Sequence, residues 1–454
     1  MGCGDSNRLP VSETKESYKN IQNHLSTNNE NPSKNENSDN NAITDKKIIK
    51  ENDENIFEYK NKINLIYYAK STGIYEIFGE IFVLRNQNNI DLIINGKESE
   101  LINSCELNEG ENIITLIIKN VLTNLSFMFS GCSSLKNIEE LKYLDVRKSK
   151  YLEYILSDCI LLTDINPLRY WDVSNCERFR GIFAGCRSLT NINPLANWNV
   201  SKSNDFAEMF NGCSNLKSLI PLKSWDVSNG IFFSNMFRGC SSLNDIGPLQ
   251  EWDVSNAEDF ERMFENCPNF FEIKALENWN VSKGNNFSFM FNKCSFILNL
   301  RPFKNWNVSK GTDFQSMFSG LKRLLNLIAL KNLDVSSGKN FSNMFKGCPE
   351  LLSIHNLNNW NVSNGSNFEG MFADCLKIEE APLENWNVSQ GINFSSMFFG
   401  CLNLSDIKPL ANWNVSNGKK FEFIFSNCPS LKDLSAVEKW NVSKDILESM
   451  KKIN

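Results

Sequence analysis

Cysteine returns at a fixed interval along this 454-residue chain. Cys132, Cys159, Cys186, Cys213, Cys240, Cys267, Cys294, Cys348, Cys375, Cys401 and Cys428 are spaced in steps of 27 residues, except for one step of 26 and one vacant slot that Leu321 fills. All ten Trp share this phase, from Trp171 to Trp440, and Leu144 and Leu333 occupy the two remaining Trp slots. Twelve units follow the consensus F-x-x-M-F-x-G-C-x-x-L-x-x-I-x-P-L-x-x-W-[ND]-V-S, of which residues 233–255, FSNMFRGCSSLNDIGPLQEWDVS, are one copy. A repeat of this length is one supersecondary unit. It cannot bury its apolar face alone but can do so by stacking on its neighbours.

Each residue type in the unit carries an expectation. In F-x-x-M-F-x-x-C the apolar residues fall at i, i+3, i+4 and i+7, as in Phe206, Met209, Phe210 and Cys213, which predicts a short amphipathic helix. The Gly before most of the cysteines, such as Gly239, suits a helix end with positive φ. C-x-x-L-x-x-I, with Leu243 and Ile246, predicts one short strand per coil, ended by a proline such as Pro248. Asn or Asp after the Trp slot, as at Asp226, Asn280 and Asn414, offers a short side-chain oxygen to a backbone N–H in a turn. The expected fold is an α/β repeat solenoid, a right-handed leucine-rich-repeat-like superhelix of about twelve coils with a short helix and a short strand in each. At about 4.8 Å per coil its body is on the order of 55 to 60 Å long.

The motif W-[ND]-V-S-x-G-x-x-F-x-x-M-F-x-G-C-x-x-L resembles the BspA-like leucine-rich repeat family, in the bacterial-surface-protein branch found also in protists, over residues 121–444. The resemblance implies a solenoid with short parallel strands and a role in adhesion or protein binding, with no catalytic residues to carry over. Two features depart from surface-exposed members. The first residues, MGCGDSNRLP, have no apolar run of a secretion signal. They match instead the myristoylation pattern, with Gly2 as acceptor and Cys3 beside it for a second acyl group, the two signals that stable anchoring requires.

The expected domain organisation has four parts. Residues 1–55 are polar and nearly free of aromatics and are read as a disordered tether. Residues 56–120 hold short β-branched and aromatic runs, INLIYYA, IFGEIFVL, DLII and NIITLIIKN, with a tight hairpin turn at Asn95-Gly96, and form a small β-rich module covering the first coil. The solenoid spans 121–444, and residues 445–454 form a capping helix with Ile446, Leu447 and Met450 on one face.

Several function classes are disfavoured by composition. A net charge of −6 with no basic block gives no field for nucleic acid. His24 and His355 are the only histidines, so no Ser-His-Asp, Cys-His or multi-His metal site can be built, and the adjacent Glu379 and Glu380 read as a solvated face. No enzyme, cofactor, metal or small-molecule substrate is expected. The Cys ladder reads as small buried residues, with Cys105 and Cys176 out of phase. Seven units read N-V-S, a glycosylation sequon given little weight because five units carry Asp there and no secretory signal precedes them.

One column of the repeat varies informatively. The residue after the buried strand Leu is polar except for Phe271, Leu298, Leu325 and Leu352 in four successive units. Stacking would set these side by side on an exposed strip, with Lys274, Arg301 and His355 nearby, the expected docking surface for a protein partner. The expected function is a non-catalytic interaction scaffold held by its acyl groups at the cytoplasmic face of a membrane, the alternative being a cell-surface adhesin or receptor.

Overall fold

Why F-x-x-M-F-x-x-C does not make a helix is visible in its backbone bonds. In the fourth coil, the N–H groups of Met209, Asn211 and Cys213 donate to the carbonyls three residues back, at Phe206, Glu208 and Phe210. Those of Phe206, Glu208, Phe210 and Gly212 donate outward to Phe232, Ser234, Met236 and Arg238 of the next coil at 2.7–2.9 Å. The expected amphipathic helix is therefore a run of three turns. Left-handed backbone at Glu208 (φ 59°) and Gly212 (φ 74°) interrupts any helical ladder and swings alternate N–H groups to the neighbouring coil. The apolar stripe survives, because a chain of such turns also returns side chains to one face at i, i+3, i+4 and i+7.

The computed structural model describes residues 49–50, 56–57 and 60–451, so Gly2, Cys3 and residues 1–48 of the expected tether lie outside the described residues. The described part belongs to one compact unit, Lys46–Asn454. The residue before the first Phe of each repeat forms a ladder of parallel bridges running Asn124, Tyr151, Arg178, Asp205, Phe232 and onward to Lys420. The strand expected at C-x-x-L-x-x-I forms only in the first coil, as Leu135–Asn137. Elsewhere this arc makes a turn, as in Leu216 N–H to the Cys213 carbonyl, and scattered inter-coil bonds, as in Ser242 N–H to the Ser214 carbonyl. Pro248 likewise sits inside a 3-10 turn, Gly247–Glu251, and does not end a strand. Its missing N–H costs nothing in a first turn, where no intra-helical acceptor exists.

Three ladders of side chains fasten coil to coil. All ten indole N–H groups donate to the carbonyl of the P-L leucine or its equivalent in the preceding coil, at 2.7–3.0 Å, as in Trp198 to Leu168 and Trp279 to Leu249. The buried thiols lie 3.0–3.3 Å from a carbonyl of the preceding coil, as in Cys213 to Phe183. The Asn or Asp after every Trp but the last accepts the N–H two residues on, as in Asp226 with Ser228 and Asn280 with Ser282, the turn role expected of it. Equivalent Phe rings stack along the interior, with centroids 5.4 Å apart for Phe206 and Phe233 and 5.8 Å for Phe287 and Phe314. Leu321, Leu144 and Leu333 are buried in their substituted slots. One apolar core runs from Ile63 to Met450.

Ahead of the coils, the paired two-residue strands β1 (Ile49–Lys50) and β2 (Ile56–Phe57) precede an antiparallel sheet. That sheet comprises β3 (Lys62–Ala69), β5 (Ile90–Ile94), β6 (Lys97–Glu100), β8 (Gly110–Ile118) and β9, the first-coil segment Leu135–Asn137, in the order β6-β5-β8-β3-β9. β4 (Gly73–Glu76) pairs separately with β7 (Ser104–Leu107). Asn95 (φ 47°) and Gly96 (φ 87°) make the two-residue turn between β5 and β6, the positive φ pair that such a hairpin requires. The run IFGEIFVL is not extended throughout, because Glu80–Asn86 is a helix, α1, that buries Phe82 and Val83. β9 joins the free edge of β3, and Gly79 N–H reaches the Met128 carbonyl, so the first coil is covered by sheet. At the other end α2 (Lys444–Lys451) buries Met450 and packs Ile446 and Leu447 against the core.

Candidate interaction surface

The column after the buried Leu faces solvent in every coil. Phe271, Leu298, Leu325 and Leu352 stand there with 44–56 % of their surface exposed. Each follows a fully buried neighbour, Phe270, Ile297, Leu324 and Leu351, so the chain has no room to turn the second side chain inward. Leu352 N–H donates to the Leu325 carbonyl at 3.1 Å, which fixes those two coils side by side. Phe271, Lys274 and Arg301 border one open hollow of about 340 Å³ with Glu272, Asn299 and Pro302. Leu298, Leu325, Leu352 and His355 are not part of that hollow. Exposed His355 opens the 3-10 turn His355–Leu357, its N–H bound to Ser353 Oγ.

Two apolar residues of this surface were missed. Ile328, 66 % exposed, belongs to the same column as Lys274, Arg301 and His355. Phe296, 38 % exposed, lies under the Arg323 guanidinium, 4.4 Å from its ring centre. Reading the neighbouring columns as closely as the first would have found both. The strip ends at a physical boundary, the 26-residue unit. There Glu379 and Glu380 take over, Glu380 bridges to Asp406, and no 3-10 turn forms between Ala381 and Asn385.

Other polar groups are accounted for by structure. Arg180 binds Asp205 Oδ2 at 2.9 Å and Glu208 Oε1 at 3.3 Å, and Glu208 also accepts the Tyr154 hydroxyl. Glu265 binds Arg238, Arg262 and Asn292. Burial pushes the Glu153 and Asp259 carboxyls up. Burial also pushes the ladder thiols up, to about 12 for Cys267 and Cys348. Cys176, out of phase with the ladder, belongs to a different column. It fills the slot of Gly230, and its thiol lies near the Lys150 and Arg178 carbonyls. Cys105 is half-buried in β7, opposite Tyr75. Among the described residues no group of three His, Cys, Asp or Glu is placed to hold a metal ion, and no helix is long and apolar enough to cross a membrane.

The fold and its ladders define a repeat solenoid. The family model described as "Mycoplasma protein of unknown function, DUF285" matches residues 99–220, 189–303, 285–405 and 352–453. These ranges together cover most of the chain, which therefore belongs to that family. No curated protein matches the sequence. Among solved structures, the functional domain of InlJ from Listeria monocytogenes, described as including a cysteine ladder, is similar at 12 % identity with a TM-score of 0.18. The match covers 66 % of this chain, and this chain spans 65 % of that structure's length.

Proposed function

We propose that this protein is a non-catalytic interaction scaffold of the BspA-like branch, a right-handed solenoid that docks another protein on the strip formed by Phe271, Leu298, Leu325 and Leu352, with Lys274, Arg301 and His355 at its margin. The observation that carries this reading is the placement of four large apolar side chains, each about half exposed, on four successive coils of an otherwise polar column. Contiguous apolar surface of this kind marks sites of association, because water is released when it is covered. The myristoylation pattern at Gly2 with Cys3 beside it supports acyl anchoring at the cytoplasmic face of a membrane.

A photo-reactive amino acid at position 325, with adducts identified by mass spectrometry and the captured protein retested in purified form, is the direct test. The expected result is a protein adduct that is lost when Leu298 and Phe271 are changed to Ser in a variant that still unfolds cooperatively. Adducts that persist in that variant, or that form equally from the opposite face, overturn the reading.

One observation favours a second reading, a cell-surface adhesin or receptor. The sequon residues Asn199, Asn280, Asn307, Asn361, Asn387, Asn414 and Asn441 are all exposed. Glycans at Asn280 or Asn307 on protein from its native source would support it, whereas an acylated Gly2 without glycans supports the anchored scaffold.

A further inference from the structure

We propose that the occupant of the strip is an acidic amphipathic helix of another protein, lying along the axis of the stacked coils; this rests on the docking reading above. The first observation is spacing. The interior Phe rings of the coils that carry the strip give the coil spacing: 5.5 Å for Phe260 and Phe287, 5.8 Å for Phe287 and Phe314 and 5.7 Å for Phe314 and Phe341 in one series, and 5.6 Å for Phe264 and Phe291, 6.3 Å for Phe291 and Phe318 and 5.7 Å for Phe318 and Phe345 in the other. An α-helix advances about 5.4 Å per turn, so apolar residues at i, i+4, i+7 and i+11 present one side chain to each coil and drift by only about 1 Å over three steps. An extended peptide repeats a face every ~6.7 Å and drifts by about 3 Å over the same span, half a coil. The groove-binding helix is the mode that matches.

The second observation is charge. Although the chain carries a net charge of −6, residues 295–304 and 322–331 in the two central coils of the strip contain Arg301, Lys304, Lys322, Arg323 and Lys331 and no Asp or Glu, while Glu272, Glu277 and Glu350 belong to the two outer coils, so the cationic field is centred on Leu298 and Leu325. All five are exposed, and among the described residues none of them forms an ion pair. They lie on both sides of Leu298 and Leu325 in the repeat, so an apolar ridge flanked by carboxylates completes the surface. A second copy facing the strip with its own strip would oppose cation to cation, which disfavours self-pairing there.

Fluorescence anisotropy with the full chain and three labelled 15-residue peptides tests this. The first peptide carries Leu at i, i+4, i+7 and i+11 with flanking Glu; the second replaces the Glu by Lys; the third keeps the Glu and inserts a central Pro. The acidic helical peptide is expected to bind saturably and at least about tenfold more tightly than either sibling, with affinity falling as salt rises. Binding is expected to be lost in Leu298→Ser/Leu325→Ser and weakened about tenfold in Arg301→Glu/Arg323→Glu, each variant first shown by thermal unfolding to be folded.

Equal binding of the Lys or the Pro peptide overturns the inference, as does undiminished binding to the strip variants. A concentration-dependent dimer abolished by Leu298→Ser/Leu325→Ser assigns the strip to a second copy and overturns it as well. If no peptide binds the folded wild type, the inference fails. The docking reading then stands if the position-325 adduct still depends on the strip, and falls with it if the adduct does not.

Discussion

At the scale of single residues, the fold is held by side chains that do two things at once. Each Trp fills the interior with its ring and ties its coil to the one before through its N–H. The Leu249 carbonyl receives both the Trp279 indole at 3.0 Å and the Trp252 backbone N–H at 3.2 Å. Trp279→Phe therefore removes one of two donors without orphaning the carbonyl, and the expected loss is about 1–2 kcal/mol, read from the urea midpoint. The chain contains a natural precedent, since Leu333 replaces Trp and leaves the Phe303 carbonyl with the Trp306 N–H alone. The core role of these residues was legible, because an in-phase series of Trp, Phe and Cys has no other use than stacking. Their bonding was not, since periodicity says which residues meet and nothing about which carbonyl an indole or thiol finds. The place of Cys176, out of phase with the ladder, was not legible for a related reason: its column holds Gly, Ser, Ala and Cys, alike in size only, as at Gly230, Ser203 and Ala257.

At the scale of elements, the same apolar spacing served two structures. F-x-x-M-F-x-x-C reads as helix by its period, and the chain makes turns because inter-coil partners outcompete local ones for alternate N–H groups. The sequence does hold a trace of this: the position before each Cys is Gly, Asn, Asp or Lys, which includes the residues most tolerant of left-handed backbone. Lys293 is the costly exception at φ 63°. Lys293→Gly is expected to raise stability by about 1 kcal/mol, seen as a higher unfolding midpoint, because a Cβ is unfavourable there. A lower midpoint would mean that the Lys side chain contributes more by packing than its backbone costs. Strands fared differently. Leu243 and Ile246 are buried as expected, yet no strand forms around them, because regular pairing is taken up by the turn segment on another face. The apolar strip was legible from one column alone, as an outward position is fixed by its buried neighbour whatever the secondary structure.

For the molecule as a whole, the row of buried thiols makes stability a function of pH. Burial raises Cys176, Cys267 and Cys348 to about 12 and Cys428 to about 11, and raises Cys213, Cys240, Cys294 and Cys375 well above the ordinary value. The unfolded chain releases these protons above about pH 8.5, whereas the folded chain keeps them. Their contribution is thus complete below that pH and is lost as pH climbs toward 12. The urea midpoint is expected to hold steady from pH 7 to 8 and to fall steeply by pH 10.5, with Tyr67, also raised by burial, adding to the loss. A midpoint unchanged at pH 10.5 would show that water reaches the thiols. Stacking makes this a joint response, since coils that share one interior lose it together.

The one unit of 26 residues shows which arc of the coil is free to vary. It drops a residue between the buried Ile378 and Trp386, forgoes the 3-10 turn, and leaves the Phe, Cys and Trp ladders on either side in step. That arc borders the apolar strip. Descent with modification can therefore trim or extend the outer face one amino acid at a time while the interior is inherited intact, so relatives sharing this scaffold need not share its surface.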